Sequence, residues 1–76
     1  MEQILQILSE IRPEFNFEES DDFIEDGFLD SFDVVTLVAE LDETFEISID
    51  GLDILPENFS TIENIADVVR RNGGTI

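Results

Sequence analysis

The segment from Asp30 to Glu46 constrains this chain most. Val34, Val38, Leu41 and Phe45 recur along it, with Leu37 beside them, at a spacing that gathers side chains on one face of an α-helix and would scatter them on a strand. It predicts a helix over residues 31–46. Asp30 stands at the N-cap, where its carboxylate can accept from the free amides of the helix start, and Asp33 falls on the third helical position, where negative charge suits the dipole.

Two further helices read the same way. Ile4, Leu8 and Ile11, with Leu5 and Ile7, predict a helix over residues 2–12, ended by Pro13, which disfavours helical geometry in the residue before it. Arg12 then lies in the last turn, a cation at the negative end of the dipole. Toward the other end of the chain, Ser60-Thr61-Ile62-Glu63 reads as a capping box, and Ile62, Ile65, Ala66 and Val69 share a face. A helix over 61–71 follows, closed by Arg70 and Arg71 and stopped at Gly73. Between them Asp50-Gly51 signals a turn, the alternation after Glu46 is too short to make a sheet without a partner strand, and a short helical turn is expected at 56–59.

Residues 13–30 show no sustained period and form a longer connection than most compact domains contain, which points to a hidden helical turn or a functional loop. Phe15, Phe17, Phe23 and Phe28, with Ile24 and Leu29, are too many apolar side chains for a disordered linker. The loop should therefore be pinned across the core. The expected fold is all-α: a small bundle of three main helices plus one short helix, in a single domain spanning residues 1–76, with no repeats or low-complexity tracts.

Charge narrows the function. Among 76 residues are 20 acidic ones against three arginines, with no lysine or histidine, a net charge of −17. No basic residue lies between Arg12 and Arg70, so the basic stripe that nucleic acid or anionic lipid demands is missing. Without cysteine there are no disulfides, thiolate nucleophiles or cysteine metal sites. Histidine, cysteine, lysine and tyrosine are all absent from the stock of general bases and covalent nucleophiles, which leaves catalysis poorly provisioned and a non-enzymatic role expected. An acidic amino terminus and the lack of a long apolar run make a monomeric, cytoplasmic protein with no membrane insertion the expectation.

One polar residue occupies an unusual place. Among five serines, Ser31 alone opens the longest amphipathic helix directly behind a capping aspartate, so its hydroxyl should project from an exposed loop–helix junction. The helix amino terminus offers unpaired amides that favour an anion attached there. With no histidine or lysine in the chain, Ser31 is read as a hydroxyl modified by another protein.

Gly27-Phe28-Leu29-Asp30-Ser31-Phe32, followed by an acidic amphipathic helix, resembles the attachment motif of phosphopantetheine-dependent acyl and peptidyl carrier proteins, and the likeness covers nearly the whole chain. A lone Asp-Ser pair would carry no weight; the hexapeptide in this setting does. The resemblance implies that Ser31 bears a 4′-phosphopantetheine arm, derived from coenzyme A, whose thiol holds an acyl or aminoacyl thioester, with Asp30 and Asp33 flanking it for recognition by a phosphopantetheinyl transferase. It also implies an activating ligase for acyl or aminoacyl groups and downstream acyl-transfer enzymes as partners, served by a free-standing carrier that shuttles intermediates between them. On the helical wheel Phe32, Val35, Thr36, Ala39, Glu40, Glu43 and Glu46 lie outward or on the flank. Apolar Phe32, Val35 and Ala39 rimmed by carboxylates make a docking stripe for basic enzyme surfaces.

Some positions depart from the common patterns. Phe32 in place of leucine, and Phe59-Ser60-Thr61-Ile62-Glu63-Asn64-Ile65 ahead of the last helix, resemble the D-alanyl carriers of teichoic acid modification, yet Asp33 stands where those commonly have glycine. Thr36 stands where many fatty-acid carriers have an acidic residue, and Ala39 where they often have methionine. These departures favour a specialised acyl or aminoacyl carrier.

Two other readings compete. From Asp22, the residues Asp22, Asp26, Gly27, Leu29, Asp30 and Asp33 fall on loop positions of a degenerate EF-hand, although Ile24 supplies no oxygen at the third and Asp33 is a methylene short of the bidentate glutamate at the last. No dedicated metal site is expected. The other is an acidic module that mimics charge to engage a basic partner.

Overall fold

The computed structural model describes residues 2–76 as three α-helices joined by loops that carry short 3₁₀ turns, with no strand among the described residues. Helix α1 spans Glu2–Ile11, α2 spans Ser31–Phe45 and α3 spans Ile62–Arg71; the 3₁₀ turns lie at Phe17–Glu19, Gly51–Asp53 and Pro56–Phe59. The expected turn at 56–59 is present, the Phe17–Glu19 turn is a helical turn within the 13–30 connection, and the Gly51–Asp53 turn falls at the turn signalled by Asp50-Gly51.

Each helix buries most of the stripe its spacing predicts; Ile11 and Ile62 are only partly buried, and Val68, outside the predicted stripe, is fully buried. Ile4, Ile7 and Leu8 of α1, Val34, Leu37 and Leu41 of α2, and Ile65, Ala66, Val68 and Val69 of α3 converge on one core. The central contact of α2 is Leu37, fully buried, while Val38 and Phe45 are packed at the margin. Phe59, also fully buried, brings the Pro56–Phe59 turn into the same core. Among the described residues no polar or charged one is buried there, so the interior is held by apolar burial, about 25 cal/mol for each Å² removed from water.

The long first loop is fastened by its phenylalanines. Phe17 and Phe23 are buried, and the ring of Phe17 meets Phe23 edge-on at a centroid distance of 5.0 Å, Phe28 at 5.5 Å and Phe15 at 6.5 Å. Phe15 stacks on Phe28 at 4.4 Å. The Phe23 amide donates to the Ser60 carbonyl at 2.7 Å, while the Phe23 carbonyl accepts from the amides of Phe28 and Leu29 at 2.8 and 3.0 Å. That return needs a sharp turn at Gly27, whose φ of +77° lies in the left-handed region that glycine adopts without strain. Loop and α3 entry are thus tied together, and Leu29 is delivered to the core one residue before the Asp30 cap.

Two expectations at helix ends are corrected. The cap of α3 is Thr61, whose hydroxyl accepts from the Asn64 amide at 3.0 Å; Ser60 instead donates to the Glu57 carbonyl and accepts from the Asn64 side chain. The Ser60–Glu63 capping box therefore does not form. At α1, the helix closes at Ile11, and Arg12 turns its side chain toward the start of α2.

Carboxylates cover the outside, and their mutual repulsion acts on a domain small enough to bury only about 60% of the surface its unfolded chain exposes. Raising ionic strength from low to moderate, or adding divalent cations, is expected to raise the melting temperature by screening that repulsion. A melt that stays put across the series would contradict this.

Candidate functional site

The start of α2 is built by a reciprocal cap. The Asp30 carboxylate accepts from the Asp33 amide at 2.9 Å, and the Asp33 carboxylate accepts from the Asp30 amide at 3.3 Å. A capping box of two aspartates concentrates negative charge, and Arg12 answers it. Its Nε donates to Asp33 at 2.8 Å, and its guanidinium lies 3.6 Å from Asp30 and 3.4 Å from Glu14. The Asp33 hydrogen bond and charge hold Arg12 protonated even more firmly than usual.

The Asp33 amide also holds the Asp30 carboxyl below its ordinary value of 3.8, outweighing partial desolvation, with help from the Arg12 charge and the Phe32 amide. A carboxyl whose folded value is depressed stabilises the fold above its unfolded value, and that contribution is lost as pH falls through the folded one. The cap should therefore hold to below pH 3.8. In an NMR titration the Asp33 amide proton is expected to shift with a midpoint under 3.8; a midpoint at or above that value would show that the cap does not stabilise the Asp30 carboxylate.

Ser31 is the first residue of α2 and is exposed. Among the described residues, its hydroxyl takes part in no hydrogen bond, in contrast to Ser20, which donates to Asp26 at 2.6 Å, and Ser60, held as above. The first-turn amides around it have no helical carbonyl to bind. Beside it opens a mostly apolar groove of about 230 Å³, lined by Ile24, Val34, Val35, Ile54 and Pro56 with Asp30 and Ser31 at its edge. Phe32 and Val35, 80% and 64% exposed, form a shallow apolar shelf that also borders Ser31.

The remaining predicted residues divide. Thr36, Ala39 and Glu43 are exposed along the α2 face that carries Phe32 and Val35, and the Thr36 hydroxyl donates back to the Phe32 carbonyl at 3.3 Å. Glu40 lies apart, on the α1-facing flank beside Gln6, Glu10 and Thr44. Asp33, expected to face a transferase, has a side chain only 13% exposed and directed at Arg12. The sequence reading missed Ile54 and Pro56, which bring the second loop to the groove, and the exposed Leu52 and Leu55 of the same loop, 84% and 43% exposed. Their signal was available: leucines within an Asp- and Gly-rich turn.

The carboxylates of the EF-hand template do not converge. Asp22 caps the amides of Ile24 and Glu25, Asp26 accepts from Ser20, Asp30 caps α2 and Asp33 binds Arg12. Among the described residues no three acidic side chains form a cation-binding group, so the calcium reading is not supported.

The three-helix bundle thus presents an exposed serine hydroxyl at the start of its longest helix. The family model for the phosphopantetheine attachment site matches residues 2–69, and the chain belongs to that family. Comparison with curated proteins and with solved structures gave no match. Domains of this family carry a covalently attached 4′-phosphopantetheine, are modified by phosphopantetheinyl transferases, work with ligases and acyltransferases, and are generally non-catalytic. The residues around Ser31 fit that group: an exposed hydroxyl with no hydrogen bond among the described residues and an apolar groove alongside. No helix among the described residues is long and apolar enough to cross a membrane.

Proposed function

We propose that this protein is an acyl or aminoacyl carrier, modified with 4′-phosphopantetheine on Ser31, which passes thioester-bound intermediates between biosynthetic enzymes. The observation that carries the reading is the exposed, unengaged hydroxyl of Ser31 at the N1 position behind the Asp30 cap, within the span of the family match.

In the modification the Ser31 oxygen forms a bond to the pantetheine-bearing phosphorus of coenzyme A. The phosphoanhydride bond breaks, adenosine 3′,5′-bisphosphate leaves, and the hydroxyl proton passes to a base of the transferase, since this chain holds no histidine or lysine to take it. The bound group supplies a thiol for thioester chemistry. This chain's residues do the rest: Asp30 and the α2 start present the serine, and the apolar core keeps that start rigid.

For partners, Phe32, Val35 and Ala39 supply an apolar contact, with Glu43 and Asp30 at its rim and Thr36 within it. Such a surface suits enzymes with a basic rim around an apolar patch, and gives fast, salt-sensitive, weak association. Phe32 and the Phe59–Ile65 segment favour a specialised carrier of small acyl or aminoacyl cargo, of the kind resembling D-alanyl carriers. The phenylalanine-rich packing favours a cargo held outside the bundle.

Incubation with coenzyme A, Mg²⁺ and a broad-specificity phosphopantetheinyl transferase, followed by intact-mass spectrometry, tests the reading. A gain of one phosphopantetheinyl group per chain is expected. No gain from a correctly folded protein with several transferases would overturn it.

A further inference from the structure

The three arginines of this chain do different things. Arg70 pairs with Asp67 within α3, and Arg71 reaches Asp53; both stand at the far end of the sequence. Arg12 is the cation at the Ser31 site, and it arrives from another element, 21 residues before the Asp33 it binds.

Its contacts are specific. One Asp33 oxygen accepts both from Arg12 Nε at 2.8 Å and from the Asp30 amide at 3.3 Å, so the atom that completes the capping box is the atom the arginine holds. The same guanidinium reaches Asp30, the other half of the box. A box of two aspartates places two carboxylates within one helical turn, where like charges destabilise. Glu14 adds a third nearby carboxylate. Without a cation the two aspartates would repel, Asp33 would swing toward solvent, and the Asp30 amide would lose its acceptor. Ser31 lies between those two residues. Its orientation therefore depends on whether the box stays closed.

We propose that Arg12 is a positioning residue for the modification of Ser31: by clamping Asp30 and Asp33 to the end of α1, it holds the first turn of α2 in the geometry that the transferase engages. The proposal rests on the reading of Ser31 as the attachment site. In this view Asp33 acts through the clamp, facing Arg12 in the interior of the junction, and Asp30 remains the outward flank.

The variant Arg12→Gln removes the charge and keeps a long polar side chain. It is expected to lower kcat/KM for transferase loading by about tenfold, within the range that small misplacements of a reacting group produce, with the loss in kcat and little change in KM. In the unmodified protein, amide hydrogen exchange at Phe32, Asp33 and Val34 should quicken while the core amides stay slow. The double variant Arg12→Gln/Asp33→Asn removes the repulsion and leaves an amide oxygen able to accept from the Asp30 amide; it should recover most of the lost kcat. Circular dichroism checks that each variant is folded at the assay temperature.

Loading of Arg12→Gln at the wild-type rate, or a loss confined to KM and unrelieved by Asp33→Asn, would overturn the proposal. So would unaltered exchange at the α2 start. These results are distinct from failure of the carrier reading, in which the wild-type protein itself accepts no group.

Discussion

Ser31→Ala is expected to accept no phosphopantetheinyl group under conditions that load the wild-type protein to completion, while its melting temperature stays close to wild type. The oxygen removed is the one expected to bond to phosphorus, and no neighbouring hydroxyl stands at the same junction: the nearest serine in sequence, Ser20, is engaged with Asp26 and the Asp22 amide. The stability expectation follows from position. Ser31 is exposed and its hydroxyl supports no hydrogen bond among the described residues, and substitutions of that kind usually fall within about 0.5 kcal/mol. Asp30, which does cap the helix, is untouched. Intact mass and a thermal melt on the same sample check both halves. Loading of the alanine variant would move the attachment site elsewhere, and a collapsed melt would mean that Ser31 has a structural role.

The opposite pairing of effects is expected for Phe17→Ala. Phe17 is 2% exposed and makes edge-on contacts with three other rings, so its truncation removes burial, leaves a cavity and unstacks the loop that leads to Ser31. Phenylalanine-to-alanine changes in cores cost about 3–5 kcal/mol. Native stability runs at roughly 0.05–0.15 kcal/mol per residue, so for so short a chain that loss removes about a third of the margin or more. At about 4–8 °C per kcal/mol for a domain of this size, the melting temperature should fall by about 12 °C or more. Equilibrium denaturation in urea gives the free energy directly. A loss under about 1 kcal/mol would show that the aromatic cluster is not part of the cooperative core.

Most of the helical architecture is legible in the sequence because burial leaves a periodic trace. Ile4, Leu8, Leu37, Leu41, Ile65 and Val69 are spaced as one-sided helices require, and all are fully buried. The 3₁₀ turns at Phe17–Glu19 and Gly51–Asp53 leave no such trace. They are set by single side-chain caps, Asn16 on the Glu18 amide and Asp50 on the Leu52 amide, acting over two residues. The choice between Ser60 and Thr61 as the α3 cap was likewise beyond a local pattern, since adjacent hydroxyls differ only in where tertiary contacts send them. Ser60 is drawn to the Glu57 carbonyl, and its own carbonyl receives the Phe23 amide.

The site divides along the same line. Ser31 and Asp30 could be placed at the helix start because neighbours in the chain encode a cap and a helix opening. Arg12 could not. Locally it reads as a cation at a helix end, and only the packing of α1 against α2 brings it to Asp33. The groove residues Ile24, Ile54 and Pro56 come from two loops that meet beside α2 only in the folded chain.

The central claim is that Ser31, and none of Ser9, Ser20, Ser48 or Ser60, is the attachment point. The most direct measurement is to load the wild-type protein with coenzyme A, Mg²⁺ and a phosphopantetheinyl transferase, digest it at acidic residues, and locate the added group by tandem mass spectrometry. The group is expected on Ser31 alone. Its appearance on any other serine, or a folded protein that carries none after exposure to several transferases, would contradict the account.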